Sequence, residues 1–222
     1  MFKLAIQAVT KFISGFILLS ALLFLPAGTI KYAGAWRLIG LLFVPMLIVG
    51  VALIMKAPDL LKKRLNDRES EAEQRMVIAL SGLEFTACFV MAGLDCRFGW
   101  THFPGWVTIA SCVLFLIAYG IYGEVMRENA YLSRTVEIQE NQQVIQEGLY
   151  GVVRHPMYFS VVLLFWAMPL VLNSLPAFFV MLPFPLLLVK RIRNEEKVLE
   201  EGLAGYLEYE KKVKYRLIPF IW

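Results

Sequence analysis

The sequence predicts an all-α, polytopic integral membrane helical bundle with four full spans, a short C-terminal helical hairpin and a cytoplasmic C-terminal helix. Three observations carry this reading. Of 222 residues, 59% are hydrophobic and only 18% are charged. Mean hydropathy is +0.62. Apolar runs recur at lengths close to the roughly 20 helical residues needed to cross a hydrocarbon core. Such a chain finds its natural solvent in a bilayer.

The first run covers Phe12 to Ala27. Lys3 and Lys11 precede it as in a signal peptide, but the apolar stretch continues past Leu25 without a small-residue cleavage site and reads as a retained span. Trp36 to Met55, Met76 to Leu94 and Trp106 to Met126 give the second, third and fourth spans. Met157 to Leu172 and Leu175 to Val189 are separated only by Asn173 and Ser174, and Pro156 and Pro176 suit first helical turns, which together describe a tight hairpin. At about 1.5 Å per residue each arm covers only some 22 to 24 Å, short of a full crossing. Pro169, Pro183 and Pro185 each remove a backbone donor, so these stretches are expected to face protein, water or ligand. Glu84 falls near the middle of the third span, where ionisable residues are expensive. A protonated or hydrogen-bonded packing role suits it at least as well as a functional one, and it stays outside the candidate site.

Charge placement gives the orientation. The loop from Lys56 to Arg75 contains Lys62, Lys63, Arg64 and Arg68, whereas the loops near Lys31 and from Asp95 to Pro104 are poor in basic residues. The positive-inside bias places that loop in the cytoplasm, together with both termini, the stretch from Arg127 to His155 and the tail after Lys190. The net charge of +4 is spent on topology, and no nucleic-acid partner is needed to explain it. Three cysteines without a close pair and two histidines supply neither a metal shell nor a disulfide framework. No repeat, low-complexity tract or linker divides the chain, which reads as a single domain.

Three polar constellations stand where helices meet the cytoplasm: Gly123 to Arg127, Gly148 to Tyr158, and Arg191 to Glu196. Arg191 and Glu195 are four residues apart and share a helix face, so they can hold a zwitterion between them or form an ordinary surface pair. Arg154-His155-Pro156 is equally an interfacial anchor before a helix or, joined to the turn made by Gly148 and Gly151 around Tyr150, a rigid corner where backbone donors approach a ligand.

In combination these segments resemble the isoprenylcysteine carboxyl methyltransferase family. Gly148 to Tyr158 is similar to its Gly-x-Tyr turn leading into Arg-His-Pro-x-Tyr. Arg191 to Leu199, followed by Gly205 to Trp222, resembles its Arg-x-x-x-Glu-Glu segment, Tyr-x-x-Tyr and closing Leu-or-Ile-Pro-Phe, and Gly123 to Arg127 resembles its Gly-Glu-x-x-Arg. The resemblance covers Gly123 to Trp222 in order; the N-terminal half is alike only in being helical and membrane-embedded. It implies membrane-embedding helices over residues 1–104 and a cofactor and catalytic half over 105–222. The implied cofactor is S-adenosyl-L-methionine, with Tyr150, Arg154, His155 and Tyr158 lining its pocket, Arg191 and Glu195 binding its carboxylate and ammonium, and Glu196 nearby. Arg127 would orient an acceptor carboxylate with support from Glu124. The implied partners are the bilayer and a lipophilic or lipidated acceptor, and the sequence carries no sign of oligomeric state.

The same residues leave rival readings open. A thiol or a phospholipid amine would serve as acceptor with the same cofactor. Sterol-reductase-like membrane enzymes have a similar Arg-His-Pro-x-Tyr segment and use NADPH, at the cost of more spans and additional basic residues. A transporter would show polar residues across several helices or a repeat, whereas polarity here collects at one end.

Overall fold

The computed structural model describes residues 2–65, 72–133 and 138–222; Arg68 of the basic loop lies outside the described residues. These form helices α1 (Phe2–Ala27), α2 (Ala33–Lys56), α3 (Pro58–Leu65), α4 (Ala72–Phe98), α5 (Gly105–Glu128), α6 (Pro156–Val171), α7 (Leu175–Met181), α8 (Phe184–Gly202) and α9 (Tyr206–Lys212), with a 3₁₀ turn at Gly148–Gly151. No strand occurs among the described residues.

Five segments are long and apolar enough to cross a membrane: Lys3–Ala27, Ala33–Lys56, Gln74–Phe98, Gly105–Glu128, and Leu175–Gly202. The last is the second arm of the expected hairpin, and it does not stop at Val189. It breaks at Leu182-Pro183, restarts as α8 with Pro185 in its first turn, where a missing donor costs nothing, and runs on to Gly202. The motif from Arg191 to Glu196 is therefore carried on a rigid continuation of a membrane helix. The first arm, α6, remains short.

The hairpin turn follows local chemistry. Asn173 adopts φ 63°, a left-handed conformation that asparagine tolerates. Ser174 then caps α7, its hydroxyl accepting from the Ala177 amide at 3.3 Å. Carbonyls left over at the end of α6 find donors at the start of α2: Tyr32, just before it, donates its hydroxyl proton to the Leu172 oxygen at 2.7 Å and Arg37 donates to the Val171 oxygen at 3.2 Å. At the same end Asp95, buried in α4, accepts from the Thr101 amide and hydroxyl, and the Thr101 hydroxyl accepts from the Leu175 amide at 3.1 Å. Thus α4 is tied to the start of α7.

Helix α5 packs along α6, while α4 packs against α1, α7 and α8. Leu23, Leu38, Phe115, Ala167 and Ile192 lie in the shared core. A Cβ at Gly93 would fall 2.8 Å from the Leu23 carbonyl oxygen, so α4 and α1 touch backbone to backbone, as small residues allow between membrane helices. Large apolar side chains such as Ile13, Ile17, Ile48 and Ile109 are exposed, as expected where hydrocarbon replaces water. The packing fixes the cavity described next, because α5 ends at it, α6 starts at it and α8 runs along it.

Candidate active site

The site begins at the turn after the 138–147 segment. Gly148 adopts φ 59°, and a Cβ there would overlap the Glu128 carboxylate. Glycine is required on both counts. The carboxylate instead accepts from the Leu149 amide, at 3.0 Å on its nearer oxygen. This sets Tyr150, whose hydroxyl accepts from Asn129 Nδ2 at 2.9 Å and whose carbonyl accepts from the Tyr209 hydroxyl at 2.7 Å. Burial pushes the Tyr150 phenol up to about 12, so it acts as a neutral donor or acceptor at physiological pH.

Beyond the turn, the chain tail closes against the corner. The Arg154 amide donates to the Tyr215 carbonyl at 2.9 Å and the His155 amide to the Arg216 carbonyl at 2.8 Å. A single carboxylate gathers the side chains behind this corner. Glu196, 2% exposed, accepts from Arg154 Nε at 2.7 Å, faces His155 Nε2 at 3.2 Å and accepts from Arg216 Nε. Arg154 also pairs with Glu210 at 3.2 Å and donates to the Val213 carbonyl. The hydrogen bond to Glu196 raises the pKa of Arg216, while burial raises that of Glu210.

A second polar row, shared between α6 and α8, faces the cavity. Tyr158 donates its hydroxyl proton to Glu195 Oε2 at 2.5 Å and accepts from Arg191 Nε at 2.9 Å. The tyrosine oxygen stands between the two charges. The Tyr158 ring stacks on His155 with centroids 5.6 Å apart, and the Arg191 guanidinium lies 5.9 Å from its centre, an ordinary cation–π distance.

Tyr150, Arg154, His155, Tyr158, Arg191 and Glu195 line one cavity, closed on other sides by Asn129, Gln142, Leu199, Tyr206 and Tyr209. Six of the residues expected at the cofactor site are thus brought together. Glu196 is not in the lining; its neighbours turn it into an internal counter-ion for the wall. Glu124 and Arg127 are also elsewhere. They pair with each other, Arg127 Nε to Glu124 Oε2 at 2.8 Å, and Arg127 lies on a groove between α2, α3 and α5 shared with Lys56, Lys63, Gly123 and Met126. The sequence reading missed Gln74, whose Oε1 accepts from Arg191 Nη1 at 3.0 Å behind the wall, and Asn129, Tyr209, Glu210 and Arg216. Only Tyr209 had a readable signal, as part of the Tyr-x-x-Tyr segment. Among the described residues no group of three or more His, Cys, Asp and Glu could hold a metal.

Residues 106–204 are similar to the family model for phospholipid methyltransferases. The chain is 31% identical over 125 residues to the Delta(14)-sterol reductase TM7SF2 of Mus musculus, a match covering 50% of this chain and 30% of that one. It is 25% identical over 138 residues to the Delta(14)-sterol reductase of Methylotuvimicrobium alcaliphilum, covering 55% of this chain and 32% of the relative. The chain therefore spans about a third of the length of these curated relatives. The first likeness supports a membrane methyltransferase, the others a sterol-reductase-like enzyme.

Proposed function

We propose that this protein is an integral membrane, S-adenosylmethionine-dependent methyltransferase whose acceptor is the carboxylate of a prenylated or otherwise lipophilic cysteine-like molecule, and whose cavity and termini face the cytoplasm. The observation that carries the reading is the row Arg191, Tyr158, Glu195 on the cavity wall. It offers opposite charges held apart by a neutral hydroxyl, the complement of an amino-acid zwitterion. Aromatic Tyr150, His155 and Tyr158 supply flat surfaces for the remainder of such a ligand. When bound, the cofactor supplies a methyl group already activated by its sulfonium.

The protein's own work in this scheme is binding and alignment. A carboxylate is a nucleophile at neutral pH without a general base, so positioning can supply most of the acceleration. Arg191 and Glu195 hold the cofactor's carboxylate and ammonium. Arg154, Arg216 and Glu196 lock the corner that presents His155. Arg127, paired with Glu124 on a groove separate from the cavity, receives the acceptor carboxylate as the acceptor leaves the bilayer, before it reaches the cofactor. A phospholipid amine, the acceptor that the matched family's name brings forward, fits less well, because it must lose a proton and the Arg127 groove also carries Lys56 and Lys63.

The similarity to Delta(14)-sterol reductases favours a second reading, in which the same cavity takes NADPH. Its charges argue against this. Arg154 is already matched by Glu196 and Glu210, and Glu195 would repel a phosphate. Calorimetry on the protein purified in detergent separates the two: S-adenosylhomocysteine binds and NADPH does not. The opposite result overturns the proposal in favour of the reductase reading.

A further inference from the structure

Helix α8 presents different faces where it leaves its apolar stretch. Glu195, Val198 and Leu199 line the cavity. On another side, Leu186, Val189, Lys190, Arg193, Asn194 and Lys197 line an open groove of about 520 Å³. Lys190, Arg193 and Lys197 follow one another at intervals of three and four residues, so they share one face of the helix. All three are exposed, and among the described residues none of them takes part in an ion pair. Asn194 Nδ2 is buried and meets no acceptor among the described residues. Glu200 and Glu201 come only after the groove, further from the apolar stretch. In the other direction the groove turns apolar: Leu186, one turn before Lys190, is 71% exposed.

We propose that this groove binds an anionic phospholipid, with the phosphate among Lys190, Arg193 and Lys197 and an acyl chain along Leu186 and Val189. The inference stands apart from the reaction proposed above. Basic residues gather at membrane boundaries in general, but a plain anchor has no need of one particular side of a helix. Here the cations converge on a single groove, an amide donor without an acceptor joins them, and no carboxylate is in the lining. A phosphate diester supplies what is missing, a negative charge and oxygens that accept from several donors at once. A zwitterionic headgroup would bring an ammonium as well, which three cations repel. A dissolved phosphate would satisfy the cations and leave Leu186 uncovered. At about 1.5 Å per residue Leu186 lies roughly 6 Å deeper than Lys190, where a chain continuing from a headgroup at the cations would run.

The full-length protein, purified in detergent, is titrated with dioctanoyl phosphatidylglycerol, dioctanoyl phosphatidylcholine and glycerol phosphate, and bound ligand is measured by native mass spectrometry. The wild type is expected to bind phosphatidylglycerol about tenfold more tightly than either of the other two. Lys190→Gln/Arg193→Gln is expected to weaken phosphatidylglycerol by about thirtyfold, roughly fivefold for each cation removed beside an anionic lipid. Lys211→Gln/Lys214→Gln removes the same charge from exposed positions of another segment and is expected to bind as the wild type does. Arg193→Gln alone, with about a fivefold loss, serves where the double variant does not fold. Equal binding of the two lipids overturns the inference, as does unchanged binding in the groove variants. An equal loss in Lys211→Gln/Lys214→Gln overturns it too, because net charge and not the groove would then hold the lipid. Glycerol phosphate bound as tightly as phosphatidylglycerol overturns it in favour of a site for a dissolved anion.

Discussion

Replacing Glu196 with glutamine is the sharpest probe of how the cavity wall is held. The carboxylate is 2% exposed and compensates Arg154, whose side chain is 6% exposed, as well as Arg216, whose side chain is 36% exposed. Removing one partner of a buried pair costs about 3–5 kcal/mol, because the remaining charge is stranded. Two features reduce that figure here. Arg216 can turn toward water, and Arg154 keeps Glu210 and the Val213 carbonyl. The low end, about 3 kcal/mol, is therefore expected. For a chain of this size 1 kcal/mol shifts the melting temperature by roughly 2–4 °C, so Glu196→Gln should lower it by about 6–12 °C. Thermal unfolding in detergent measures this, with limited proteolysis after Lys212 reporting whether the tail has come off the corner. A melting temperature unchanged to within about 2 °C, together with an unchanged cleavage rate, would refute the hub. Loss of cofactor binding at unchanged stability would place Glu196 in the cavity instead.

Glu195→Gln should weaken S-adenosylhomocysteine binding by about 1.5–3 kcal/mol with little change in melting temperature, and unaltered calorimetric affinity would detach Glu195 from the zwitterion. Gly148→Ala should destabilise the turn by about 1–3 kcal/mol, since it combines a left-handed backbone with a clash against Glu128; a melt like that of the wild type would contradict the turn geometry. Arg127→Lys should cut turnover on a lipidated cysteine carboxylate tenfold or more, roughly 1.4 kcal/mol of transition-state stabilisation, at unchanged cofactor affinity. Full turnover would return Arg127 to the role of an exposed partner for Glu124. A cysteine placed at Lys212 should resist an impermeant thiol reagent applied to intact cells, and labelling from outside would invert the proposed topology.

Most of the bundle was legible because hydrocarbon imposes a strong length and composition rule on each crossing segment. The rule is silent about what happens past the polar boundary, and there the sequence reading fell short. It ended the second hairpin arm at Val189, since Lys190 and Arg191 terminate the apolar run, yet the backbone remains helical to Gly202. The helix persists because its apolar side, including Leu188 and Ile192, stays buried while its polar side faces the cavity. Tyr150, His155, Tyr158, Arg191 and Glu195 were readable because their spacing within local motifs survives folding. Gln74 was not, because a polar residue at the end of an apolar helix looks like an interface marker, and its partner is far away in the sequence. Arg216 and Glu210 were hidden for the same reason.

The adjacent carboxylates of α8 show how one motif can divide its labour. Successive residues on a helix point about 100° apart, so Glu195 and Glu196 cannot face the same surroundings. Glu195 reaches Tyr158 on the cavity wall, whereas Glu196 turns inward to Arg154 and His155. The inward carboxylate, together with Glu210, balances Arg154 and Arg216, which lets Arg154 be buried beside the candidate ligand site without adding a net charge to it. Under the proposed function the outward carboxylate is the acidic side chain of this motif that reads the ligand, opposite Arg191. A zwitterion-binding surface needs such bookkeeping: one negative group committed to the wall and one facing the cavity, with Tyr158 keeping the latter and Arg191 from collapsing onto each other. A cavity built for a phosphate-rich dinucleotide would instead call for arginines left unmatched where the phosphates lie.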